Sequence, residues 1–251
     1  MEYSQFYIGI DSCPAGWISF YLSENLNYDL SVFKTINQLW EKYCNATLIM
    51  IDIPIGLKSQ GPEPRLADKA ARKYLTGKRS SCIFPTPCRD VLDAKTYEEA
   101  NKINKLRTTK GLSKQSWFIT SKIKEVDFLL RNNKDARNVF IECQPEICFT
   151  SLNNEHPLDH YKKTAKGIKK RHELLTNFYK FDNDPLQMGL NKFLRKNVGI
   201  DDILDAWVLA IAAFQGLDNI KFLPEKYPID SNDLPMRIAI PQFKRYRKRE
   251  R

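Results

Sequence analysis

A chain of 251 residues with 42% hydrophobic content and a formal charge of +10 is long enough to bury a sizeable core, as one large domain or as a core with an insertion. No stretch approaches the roughly 20 consecutive apolar residues of a membrane-spanning helix, and the start, MEYSQFYIGID, lacks the basic and long apolar regions of a secretory signal. A cytoplasmic protein with no membrane partner is expected, and six cysteines without a CxxC pair beside three histidines without ligand spacing argue against zinc or haem and for reduced, mostly buried thiols.

The chain opens with three strand-like runs, over residues 6–11, 17–22 and 28–34, rich in aromatic and β-branched residues and separated by turn formers such as Pro14-Ala15-Gly16. They predict an antiparallel meander. A helix follows over 36–43, and then the continuous apolar run 48–53, whose lack of alternation predicts a central strand covered on both faces. Residues 58–135 are too long for a loop and should carry helices of their own, over 67–75, 97–106 and 113–131. Within them CIFPTPCR (82–89) has two prolines and predicts an extended connector. A further buried strand is expected at 139–141, and a strong helix at 201–214, with an acidic start and Gly216 just beyond its end. One domain over 1–243 is expected, with 58–135 as a mostly helical insertion. The tail KRYRKRER, residues 244–251, is expected to be disordered.

Charge is segregated along this order. Residues 58–135 carry 18 Lys/Arg against 9 Asp/Glu, residues 159–180 carry 7 against 2, and residues 244–251 carry 6 against 1. The rest of a chain whose total is +10 is therefore net acidic, at −9. Acids that hold cations beside bases that hold phosphates suit a metal-dependent enzyme acting on a polyanion, although lysine-rich helix faces also serve simply to solvate a surface.

The acidic residues sit at the ends of apolar segments: Asp11 in FYIGID, Asp52 in LIMIDIPIG, Glu142 in VFIECQPE, and Asp202 with Asp205 in DDILDAWVLAIAAF. A carboxylate near a core is costly unless a cation or donors satisfy it, and several together repel one another; a divalent metal resolves both problems. Asp11 is the candidate bridge between two metal ions about 3.5–4 Å apart, with a turn cap as its plainer role. Asp52 is held at the sheet's end by the bend that Pro54 imposes. Asp205 lies at the lip of a helix that is apolar all round and needs a partner. Asp201 and Asp202 both share a face with it, and the expectation is that Asp202 and Asp205 are ligands while Asp201 caps the helix. Glu142 completes the set, and Glu146 caps a short helix near Pro145 or joins the site. Glu125 and Asp127 are expected to form salt bridges on an amphipathic helix, with a role in the site as the lesser alternative. Arg65, Arg72, Arg79, Arg89, Lys163 and Arg171 are candidates for gripping phosphates. Trp117, Phe84 and Tyr74 lie among them and either stack on bases or, as aromatic residues more often do, fill a core.

Three antiparallel strands, a helix, a buried strand, a helical region, another buried strand and a last helix form the order of elements in the RNase H-like fold, and the acids fall where that fold needs them. The chain also resembles the family grouped as domain of unknown function 429. The matching stretches are GIDSCPAGW (9–17), DIPIGL (52–57), RLADKAAR (65–72), SSCIFPTPCR (80–89), GLSKQSW (111–117), KIKEVD (122–127), ECQPEICF (142–149), KKTAKGIKKR (162–171) and DDILDAW (201–207). Gln144 departs from it, where the pattern more often has histidine. The resemblance implies an α/β, RNase H-like mixed sheet and a metal-dependent nuclease; joined to the residues above, the expectation is a Mg²⁺- or Mn²⁺-dependent enzyme on DNA or RNA, with Asp11, Asp52, Asp202 and Asp205 on the metal. A non-catalytic nucleic-acid-binding protein is the alternative. An actin-like, ATP-handling enzyme also begins with a GID-type strand, but it needs two domains and glycine-rich phosphate loops that ten glycines serve poorly.

Overall fold

The computed structural model describes residues 5–244, so positions 245–251 of the basic tail lie outside the described residues. β1 (Phe6–Cys13), β2 (Gly16–Ser23) and β3 (Tyr28–Phe33) form the antiparallel meander. α1 (Ile36–Tyr43) follows, capped by the Thr35 side chain, which accepts from the Gln38 backbone N–H. β4 (Leu48–Ile51) then lies parallel to β1, and β5 (Phe140–Glu142) parallel to β4, giving the order β3-β2-β1-β4-β5. All four residues of β4 are buried, as an apolar run without alternation requires. The strand stops two residues before its expected end, although Asp52 N–H still donates to the Ile10 carbonyl at 3.1 Å.

Between β4 and β5 lie α2 (Leu66–Leu75), α3 (Tyr97–Thr108), α4 (Lys114–Asn132) and the short α5 (Lys134–Val139), so Val139 ends a helix instead of opening a strand. Two 3₁₀ turns, Gly77–Cys82 and Arg89–Asp93, flank the proline-bearing connector, which has no regular structure. After β5 come α6 (Pro145–Leu152), α7 (Ala165–Phe178), α8 (Pro185–Lys192) and α9 (Ile200–Phe214). β6 (Ile220–Leu223) and β7 (Ile238–Pro241) pair antiparallel as a separate two-stranded sheet, and Ala239 bridges Cys143 just beyond β5. No described helix is long and apolar enough to cross a membrane. Four of the six thiols are buried, and all are free.

The sheet is covered on both faces. On one, Ile8, Ile10, Ile49 and Ile51 meet α1 through Ile36, Leu39 and Trp40, and α4 through Ile123, Val126 and Leu130. On the other, Phe20, Leu22 and Met50 meet α9, which is buried from Ile203 to Phe214 because α6, α7 and α8 close over its outer side. The contact that fixes α9 is made by a residue with no side chain. A Cβ at Gly9 would lie 2.1 Å from the Ala206 carbonyl oxygen and 2.2 Å from the Ala210 backbone nitrogen, so the helix backbone rests directly on β1. Residues 7, 9, 11 and 13 of a strand share a face, and Asp11 therefore points the same way as Gly9, toward the helix start.

Gly9→Ala should therefore cost about 3 kcal/mol or more in urea unfolding, because backbone and not a flexible side chain must give way. A loss below about 1 kcal/mol would mean that α9 is free to lift.

Candidate functional site

β1, β4 and β5 run in the same direction, and their carboxyl ends bring Asp11, Asp52 and Glu142 to one edge of the sheet. The first turns of α9 add Asp201, Asp202 and Asp205, and the start of α6 adds Glu146. Together they line a cleft of about 350 Å³. Its apolar walls include Ile83, Phe84 and Ile119, and Tyr161, Lys162 and Lys163 border it from the segment between α6 and α7. The expected acids thus share one cleft although they come from four separate stretches of chain.

Each is satisfied differently. Asp11 is 6% exposed, and its Oδ1 accepts the Ser12 N–H at 2.7 Å, a bond made within β1 and before the turn at Pro14 and Ala15. Glu142 is held in full by Arg65, which gives it two bonds of 2.6 and 2.9 Å, and by the Ile55 N–H at 2.7 Å. The same guanidinium binds Asp68 and the carbonyls of Ile55 and Gly56. Burial alone would favour discharging Arg65, but Asp68 and Glu142 beside it hold it charged. The helix cap belongs to Asp202, whose Oδ2 accepts the Gly199 N–H at 2.7 Å, and not to Asp201 as expected; the N3 position lets a side chain reach back to the residue before the helix. Asp201 instead faces Lys162 and Lys163 at 3.5 and 3.8 Å.

Asp205, 1% exposed, receives the Lys162 ammonium on Oδ2 at 2.6 Å, and its buried Oδ1 has no hydrogen-bond partner. Glu146 is paired with Arg171 through Oε1, and its buried Oε2 is likewise unpartnered. Burial pushes the Asp52 carboxyl up to about 7, with Lys162 pulling it down and Asp205 and Glu142 pushing it further up. Burial also raises Asp205 to about 6 against the pull of Lys162, and raises Asp11 well above the usual carboxylate range, aided by Asp52 and Asp205. For Lys162 burial works against the charge, but Asp205 and Asp11 outweigh it and keep the ammonium firmly protonated. One lysine therefore serves a group of carboxylates too close for all to ionise comfortably. Among the described residues no group of three or more His, Cys, Asp or Glu side chains is arranged to hold a metal ion.

The cations expected to grip phosphates divide unevenly. Arg65 and Arg171 are buried in the ion pairs above. Arg72 donates to the Ile83 carbonyl, Arg79 to the Leu158 carbonyl, and Arg89 pairs with Asp127 and Asp230. These five guanidiniums fasten the molecule together, and burial next to a fixed acceptor is what turns them inward. Lys163, with 63% of its side chain exposed, is the one of the six that faces solvent beside the cleft. Asp127 also pairs with Arg131, while Glu125 pairs with Lys122 and accepts from the Trp17 indole N–H. Trp117 and Tyr74 are packed against small cores, whereas Phe84 is exposed on the cleft wall. The sequence pattern gave Lys162 no role, because adjacent lysines in KKTAKG look alike until the fold turns one inward.

A mixed α/β protein with an acidic cleft at the carboxyl ends of parallel strands is the class that these features define. The chain belongs to the family of proteins of unknown function DUF429, which it matches over residues 9–228. No curated protein and no solved structure matches it.

Two outcomes follow from the charges. Asp52 and Asp205 hold their protons to higher pH when folded than when unfolded, so between about pH 4 and 7 the folded state binds more protons and stability falls as pH rises. In EDTA the protein should be more stable at pH 5 than at pH 7.5, and Asp52→Asn should flatten that slope and add about 1–2 kcal/mol at pH 7.5. Urea titrations at the two pH values check this, and a slope of opposite sign would refute it. Arg65→Ala, which strands Asp68 and Glu142, should cost about 3–5 kcal/mol in the same assay.

Proposed function

We propose that the chain is a divalent-metal-dependent nuclease with an RNase H-like fold. The observation that carries the reading is the convergence of Asp11, Asp52 and Asp205 on one cleft, with the buried Asp205 Oδ1 lacking any partner. The strand order, with the meander β1–β3 extended by the parallel β4 and β5, supports the fold assignment.

An all-carboxylate donor set suits a hard cation, Mg²⁺ or Mn²⁺, and an orphaned buried carboxylate oxygen is what such an ion would satisfy. Asp11, Asp52 and Asp205 would hold it, with Asp202 in support through the oxygen that does not cap α9. Bound there, the metal would activate water and stabilise the leaving oxygen of a phosphodiester. The protein's own residues do the rest. Arg65 fixes Glu142 so that β5 and α2 form a stiff wall, and Gly9 holds the start of α9 against β1. Lys163 offers an exposed cation to a phosphate at the rim. Phe84 and Tyr161, both exposed on the cleft, offer faces on which bases stack.

A non-catalytic nucleic-acid-binding protein is the second reading, favoured by the Lys162 ammonium seated on Asp205. The discriminating experiment incubates single-stranded, duplex, branched and hybrid oligonucleotides with Mg²⁺ or Mn²⁺. Cation-dependent cutting that Asp11→Asn and Asp205→Asn each reduce at least about 100-fold establishes the nuclease. Salt-sensitive binding without turnover, unchanged by either substitution, would establish the binding protein instead.

A further inference from the structure

Lys162 is not accounted for by the acidic site. Its ammonium makes a 2.6 Å bond to Asp205 Oδ2 and lies 3.5 Å from Asp201 Oδ2, so it bridges two carboxylates of the α9 start. It reaches them from a stretch without regular structure between α6 and α7, while its side chain is still 29% exposed. A lysine is a flexible, strongly hydrated point charge, in contrast to the arginines that fasten the rest of the molecule through several fixed bonds. Arg65, for comparison, is fully enclosed and spends its donors on two carboxylates and two carbonyls. The acids around the two cations differ as well. Asp68 and Glu142 are bound by Arg65, whereas Asp205 Oδ1 and Glu146 Oε2 are buried in the same cleft without a partner. Lys162 on Asp205 and Arg171 on Glu146 thus each serve one carboxylate oxygen and leave the other buried and unbonded.

We propose that Lys162 is a built-in competitor for the divalent cation: it occupies Asp205 in the metal-free protein, and metal loading requires the ammonium to leave that carboxylate. The inference rests on reading the cleft as a divalent-cation site. Competition of this kind weakens metal binding by the strength of the bond that must be broken. It also releases Lys162, beside Lys163, as a second cation for a phosphate whenever metal is present. The lysine thereby couples metal occupancy to the charge available at the rim.

The test is Mn²⁺ affinity by calorimetry and by the electron paramagnetic resonance signal of free Mn²⁺, for the wild type, Lys162→Met, Lys162→Gln and the surface control Lys166→Gln. Lys162→Gln keeps a donor for Asp205 without the charge, and so covers the case in which the methionine variant does not fold. Both Lys162 variants should bind Mn²⁺ on the order of 10- to 100-fold more tightly than wild type, the range expected when one charge-assisted hydrogen bond no longer has to break. They should also unfold at lower temperature in EDTA and regain more stability than wild type when Mn²⁺ is added. Lys166→Gln should do neither. Equal or weaker Mn²⁺ binding by the Lys162 variants, or no binding by any of the proteins, would overturn the proposal. Tighter binding without cleavage of any oligonucleotide would leave the competitor in place and remove the nuclease.

Discussion

The close seating of α9 on Gly9 is the constraint on which the other features depend. With no Cβ at that position the helix backbone touches the strand, and the same register brings Asp205 to the mouth of the strand that carries Asp11. Any side chain at position 9 would push the helix outward and separate the two carboxylates. The burial of α9 on every side follows from the same contact, since a helix laid flat on a central strand leaves room for α6, α7 and α8 to cover its outer face. An apolar residue fully buried there is worth about 1.5–3 kcal/mol, and the run from Ile203 to Phe214 contributes many. That apolar gain offsets the cost of keeping Asp205 in a place water hardly reaches.

Two different solutions to buried charge stand side by side. On the β5 and α2 side, Arg65 meets Glu142 and Asp68 with full hydrogen bonding, an arrangement that costs little once made and much if broken. On the β1 and α9 side, a single lysine faces several acids, and carboxyls there are pushed toward neutral pH. The first is a fastening and the second is the candidate site. Burial pushes the Glu142 carboxyl up to about 7 as well, so what separates the two sides is hydrogen bonding: Arg65 and the Ile55 N–H serve both Glu142 oxygens, whereas Asp205 Oδ1 is buried without a partner.

The same distinction reassigns the basic character of the chain. A high count of arginines between β4 and β5 suggests a phosphate-binding surface, yet Arg65, Arg72, Arg79 and Arg89 each end on a carbonyl or carboxylate of the protein. Arginine is the residue suited to buried pairing because its planar fork satisfies several acceptors at once and stays charged. What remains for a polyanion at the cleft itself is Lys163 and the exposed aromatic faces of Phe84 and Tyr161.

Much of this was legible in the sequence. The aromatic and β-branched runs between turn formers and the continuous apolar runs placed β1 to β4 and the 201–214 helix within a residue or two. The acids at segment ends were legible too: a carboxylate interrupting an apolar run must lie where the core stops. The helices α7 and α8 and the β6–β7 pair were not, since their short, mixed patterns gain their apolar partners only from contacts distant along the chain. Nor did the sequence by itself distinguish Asp201 from Asp202, Lys162 from Lys163, or a gripping arginine from a fastening one. These neighbours have the same chemistry, and only the direction in which the folded backbone points each side chain decides which caps, which pairs and which faces the cleft.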